Sequence, residues 1–177
     1  MFVAAFDVLY DNARHRGHDL ILRDHAHSQF SFGPEIAPRP TLREILAAHY
    51  PLRSLVTVRH PIDSFASLEK HRWLNFTPGT LEEYARRYLV FLDRHEGVEV
   101  LRYEDFVAAP EDTMQRMAEV LELTYDAGFL QLFPAIQLSG DSGRSGETIA
   151  PRPQRELGAD LRAQAAGSPS YEALCDR

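Results

Sequence analysis

The sequence predicts an α/β protein, a parallel sheet flanked by helices, and three observations carry that expectation. Short apolar runs, Leu20-Ile21-Leu22, Leu55-Val56-Thr57-Val58 and Val98 to Leu101, alternate with stretches whose apolar residues recur at helical spacing. The run at 55–58 passes through Arg59-His60 straight into Pro61, and proline in the first turn of a helix costs no hydrogen bond. Thr41–Glu44 and Thr80–Glu83 each have the form of a capping box, marking two more helix starts. Strands separated by helices join in parallel, with the helices packed on the sheet. Three strands are few for such a sheet, so one element is expected to be absent.

A length of 177 residues suits a single domain over 1–177 with a real core. No apolar run approaches the roughly 20 residues that span a bilayer. The N-terminus has no basic segment and meets Asp7 early, unlike a signal peptide, so a cytoplasmic protein is the expectation. A single cysteine, Cys175, excludes an internal disulfide. The net charge of −7 argues against nucleic-acid binding but leaves room for a nucleotide, whose phosphate needs only local positive charge.

Along the chain, residues 2–16 place Phe2, Phe6, Leu9, Tyr10 and Ala13 on one helical face, with Gly17 as C-cap. Leu20 to Leu22 reads as a buried strand. Residues 28–40 hold Gly33 and three prolines and read as a loop. Tyr50-Pro51 ends the short helix that follows Thr41. Leu81, Tyr84, Ala85, Tyr88, Leu89 and Leu92 form an apolar stripe after the second capping box. Pro110 opens a helix with Met114, Met117, Ala118 and Leu121 inward, and two short helices close the chain near 154–166 and 169–176.

The chemistry centres on Arg59. In open α/β sheets ligands sit beyond the carboxyl ends of strands, where helix N-termini favour anions. Arg59 would add a charge-assisted contact worth about 1.5–3 kcal/mol, and Ser67 a hydroxyl donor. The plainer alternative is a strand-end arginine paired with Asp63. Arg23-Asp24-His25 follows the first run, and a neutral imidazole suits proton abstraction at neutral pH. His27 competes with His25 for that role. His25-Ala26-His27 could also hold a metal with His60, Asp63 or His71, which is the metal-dependent hydrolase alternative. Tyr103 offers a flat face and one hydroxyl, suited to a purine or to a half-buried core position. No GxxxxGK[ST] motif occurs.

Arg59 followed eight residues later by Ser67, with Pro61 and Asp63 between, resembles the 3′-phosphate segment of sulfotransferases that use 3′-phosphoadenosine 5′-phosphosulfate. Arg23-Asp24-His25 resembles that family's Lys-Thr-His segment, Tyr103-Glu104-Asp105 its Tyr-Glu-Asp segment, and Arg144-Ser145-Gly146 its Arg-Lys-Gly loop, with serine in place of lysine. The order of these segments, spanning about residues 19 to 155, matches the bacterial members with short spacings. The resemblance implies a P-loop-NTPase-like sulfotransferase fold. It implies His25 as base, Arg23 and His27 facing substrate, and Tyr103 on adenine. Arg59, Ser67, Arg144, Ser145 and Gly146 would hold the 3′-phosphate. The implied reaction is sulfuryl transfer to a hydroxyl or amine on a small molecule, glycan or lipid, leaving adenosine 3′,5′-bisphosphate.

The family's Gly-rich 5′-phosphosulfate loop, and the first strand it belongs to, do not occur before residue 19. The implied alternatives are a chain incomplete at its N-terminus (and, from the abrupt end at Arg177, at its C-terminus), a late reading frame, or a non-catalytic module that binds nucleotide or a partner. A sheet edge left open by a missing strand would favour a homodimer.

Overall fold

The structure is a computed structural model that describes residues 2–135, 148–151 and 156–177. It is a mixed α/β arrangement in which short parallel strand pairs are flanked by helices. The chain opens with α1 (Phe2–His15), ended by Gly17 in the left-handed region at φ +68, as the C-cap reading requires. Only Phe6 of its apolar face is buried, against the ring of Tyr50 at 5.1 Å. Tyr50 also donates to Asp7, tying this helix to the chain after α3 (Leu42–Ala47).

Leu20, Ile21 and Leu22 do not form the expected strand. They are extended but unpaired, and Ile21 is 71% exposed. An extended run becomes a strand only when a neighbour takes its backbone groups, and among the described residues none does. The expected loop at 28–40 also carries more structure than its glycine and prolines suggest. It contains α2 (His27–Phe30) and β1 (Phe32–Gly33). β1 pairs in parallel with β3 (Asn75–Phe76).

Thr41 caps α3 with both halves of the box closed: Thr41 Oγ1 accepts from Glu44 N–H at 3.2 Å, and Glu44 accepts from Thr41 N–H at 2.7 Å. β2 (Leu55–Val58) then leads into α4 (Pro61–His71), with Pro61 in the first turn as the sequence indicates. α5 (Leu81–Asp93) starts at Thr80, but only half of its capping box forms. Glu83 N–H donates to Thr80, while the Glu83 carboxylate turns to Arg86 and Arg87.

β4 (Glu99–Arg102) pairs with β2 in parallel, Leu55 opposite Glu99 and Val58 opposite Arg102. α6 (Tyr103–Ala108) and α7 (Pro110–Leu121) follow. Met114, Met117, Ala118 and Leu121 of α7 are half-buried. α8 (Phe129–Leu132) leads into a 3-10 turn, and α9 (Ala159–Ala166) and α10 (Pro169–Cys175) end the chain. Among the described residues the strands therefore form two separate pairs, not one three-stranded sheet.

The core sits where helices meet. Ile62 and Phe65 of α4, Phe76 of β3, Leu81 and Tyr84 of α5 and Leu161 of α9 form one buried cluster. Fully burying an aromatic or aliphatic side chain contributes about 1.5–3 kcal/mol, and Phe65 and Leu81 are 0% exposed. α10 is fastened to α5 through Glu82, whose carboxylate accepts from Ser168 Oγ, Ser170 Oγ and Ser170 N–H at 2.6, 2.6 and 3.0 Å.

Candidate functional site

Parallel pairing places Arg59 and Tyr103 at the same end of the same strand pair. Each is the next residue after the last register partners, Val58 and Arg102. The Arg59 guanidinium carbon lies 5.4 Å from the centre of the Tyr103 ring, within cation–π range. Among the described residues Arg59 makes no ion pair, so the proposed pairing with Asp63 does not form.

The turn that carries Arg59 is held by side chains from two other elements. Arg59 N–H donates to Tyr88 Oη at 3.3 Å, and Tyr88 Oη donates to the Arg59 carbonyl at 3.2 Å. His60 N–H donates to Glu104 Oε1 at 3.0 Å, and Ser64 Oγ donates to the His60 carbonyl at 3.2 Å. His60 Nδ1 is buried and has no hydrogen-bond partner among the described residues. Burial pushes the Tyr84 phenol well above its ordinary value, and pushes Tyr88 up to about 12. Both therefore remain protonated donors across the neutral range.

Arg59 borders two hollows. The larger, about 1800 Å³ and open to solvent, is also lined by Arg23, His25, His27, Ser67 and Tyr103. The smaller, about 300 Å³, lies between α4 and the start of α9, where Asp63, Glu69, Glu156 and Asp160 surround it. Those carboxylates oppose an anion there. The cation–π contact to Tyr103, which lines only the larger hollow, aims Arg59 into that one.

His25 does not end a strand, because Leu20–Leu22 form none. It precedes α2, where its carbonyl accepts from Ser28 N–H at 3.1 Å and Ser28 Oγ at 3.0 Å. Its ring is exposed and 5.9 Å from that of His27, with planes at 78°. His27 is half-buried, and its Nε2 meets the Trp73 carbonyl at 3.4 Å. Burial pushes its pKa below the ordinary histidine value, against that backbone contact and with help from His25, so the ring is neutral at pH 7. Arg23 is exposed on the same rim. Ser67 lies half-buried two turns into α4. Among the described residues no three His, Cys, Asp or Glu side chains cluster so as to hold a metal ion. Arg144, Ser145 and Gly146 lie outside the described residues, as does any meeting of Arg144 with Arg59.

Sequence reasoning missed the residues that build the surroundings. Arg87 is 0% exposed. It donates to Glu83 at 2.6 Å and to the carbonyls of Phe30, Phe32, Gly33 and Pro34 at 2.8 to 3.4 Å. Its position on the buried stripe, three residues after Tyr84 and four after Glu83, is the signal that could have found it. Tyr88 reads in the sequence as one more apolar position, and only the fold brings its hydroxyl to Arg59.

No protein-family model matches the chain, and no curated protein or solved structure does either.

Proposed function

We propose that this chain is a nucleotide-binding module of the sulfotransferase type, taking 3′-phosphoadenosine 5′-phosphosulfate or its product in the larger hollow, within a P-loop-NTPase-like fold. The observation that carries the reading is Arg59. It is a guanidinium without a carboxylate partner among the described residues, at the carboxyl end of β2 and before the N-terminus of α4, in a turn fixed by Tyr88 and Glu104. Arg59 would hold the 3′-phosphate by charge-assisted hydrogen bonds, with Ser67 adding a donor. Arg144, Ser145 and Gly146 would close on the same group. Tyr103 offers adenine the ring face away from Arg59.

In the transferase reading, His25 takes the proton of an acceptor hydroxyl or amine as that atom bonds to sulfur. The sulfur–oxygen bond to the 5′-phosphate breaks, and adenosine 3′,5′-bisphosphate leaves. The acceptor, a small molecule, glycan or lipid, would enter past Arg23 and His27. The second reading, binding without turnover, is favoured by His25, the candidate base, whose ring is exposed and which follows no paired strand among the described residues. In that reading nucleotide binding is kept and sulfuryl transfer is slow or absent.

Calorimetric titration tests the binding. Adenosine 3′,5′-bisphosphate should bind, and Arg59→Ala should weaken it by about tenfold or more, the loss of one charge-assisted contact. Equal affinity for adenosine 5′-monophosphate, which lacks the 3′-phosphate, would remove the basis of the assignment.

A further inference from the structure

The backbone of Arg59 is gripped from a different element. A hydroxyl has one proton and two lone pairs. Tyr88 uses the proton on the Arg59 carbonyl and a lone pair on the Arg59 N–H, at 3.2 and 3.3 Å. That double use fixes the hydroxyl rotor and both ends of one residue's backbone. Arg59 then has only its guanidinium left to offer a ligand, swinging from an anchored Cα against the ring of Tyr103. Tyr88 is itself set by ring contacts on α5, 5.8 Å to Tyr84 and 5.9 Å to Phe91.

We propose that Tyr88 is the positioning residue for Arg59: it holds the β2–α4 turn so that the guanidinium is aimed before an anion arrives. The claim rests on the nucleotide reading above and assigns that site a residue that acts through Arg59. Arg59 is exposed, so water replaces the two bonds if the hydroxyl is removed, and the folded state loses little. The cost appears on binding, when a loosened turn must be ordered. A merely structural tyrosine would show the opposite pattern, a loss of stability with no selectivity between ligands.

Tyr88→Phe keeps the ring and removes the hydroxyl. Calorimetry with adenosine 3′,5′-bisphosphate should show binding weaker by about three- to tenfold. Affinity for adenosine 5′-monophosphate and the thermal midpoint should match the wild type. In the Arg59→Ala background, Tyr88→Phe should add no further loss, since the two act as a unit. A second readout needs no ligand: the Arg59 Nε–H resonance should be ordered in the wild type by the heteronuclear Overhauser effect and should lose that order in Tyr88→Phe. Equal weakening of both nucleotides, additive losses in the double variant, or unchanged order at Arg59 Nε would each overturn the proposal. Failure of the wild type to bind the bisphosphate would instead overturn the nucleotide reading, and the resonance would still decide whether Tyr88 sets Arg59.

Discussion

Arg87 shows what a single side chain does in this protein. Its guanidinium is wholly buried, balanced by Glu83, and its remaining donors hold four carbonyls of the chain between 30 and 34. Removing one member of a buried pair typically costs about 3–5 kcal/mol, because the partner groups are left without donors. Arg87→Ala is expected to lose about that much in urea unfolding, and Arg87→Lys to lose part of it, since an ammonium cannot fork to five acceptors. A loss below about 1 kcal/mol for the alanine variant would mean the carbonyls find other donors. At this scale the sequence was legible for Arg59 and Tyr103, whose places follow from strand ends. It was not legible for Arg87 or Tyr88, because their partners are backbone atoms distant in sequence.

Helix starts were the most legible elements, since a cap is written within four residues. Thr41–Glu44 closed as a full box, whereas Glu83 abandoned its half for two arginines, a competition set by the fold rather than by spacing. Glu44 does double duty. Hydrogen bonding from the Arg94 guanidinium, then from the Thr41 N–H, brings its pKa from an ordinary 4.5 down to about 2. A carboxyl with a depressed folded pKa stabilises above its unfolded value and loses that contribution as pH falls through its folded one. The wild-type thermal midpoint should therefore drop between about pH 4.5 and pH 2, with Glu82 and Glu83, also held low, adding to the slope. Glu44→Gln should flatten that decline while leaving a lower midpoint at pH 7. Parallel slopes for the two proteins would show that the Arg94 contact is not kept in solution.

For the whole molecule, the α/β class and the parallel sense were readable, because alternating strands and helices allow little else. The sheet itself was not. Leu20–Leu22 has the composition of a buried strand, yet pairing is a property of two segments and the sequence shows only one. The same limit hid β1 and β3, two residues each; Arg87 holds the carbonyls of β1 and lies over the Phe76 ring of β3 at 5.1 Å. The strand ends that place Arg59 and Tyr103 were readable in the sequence; the position of the stretch at 23–27, which follows no paired strand among the described residues, was not.

One helix, α5, reaches several distant parts of the chain at once. Arg87 reaches the stretch at 30–34, Tyr88 the turn at 59, and Glu82 the start of α10. It therefore behaves as a mast from which separate stays are rigged, and slackening it releases all of them together. Native-state hydrogen exchange should show amides near 30–34, 59–60 and 168–171 opening with one shared free energy and one shared denaturant dependence. Three unrelated opening energies would mean that each stay is anchored independently.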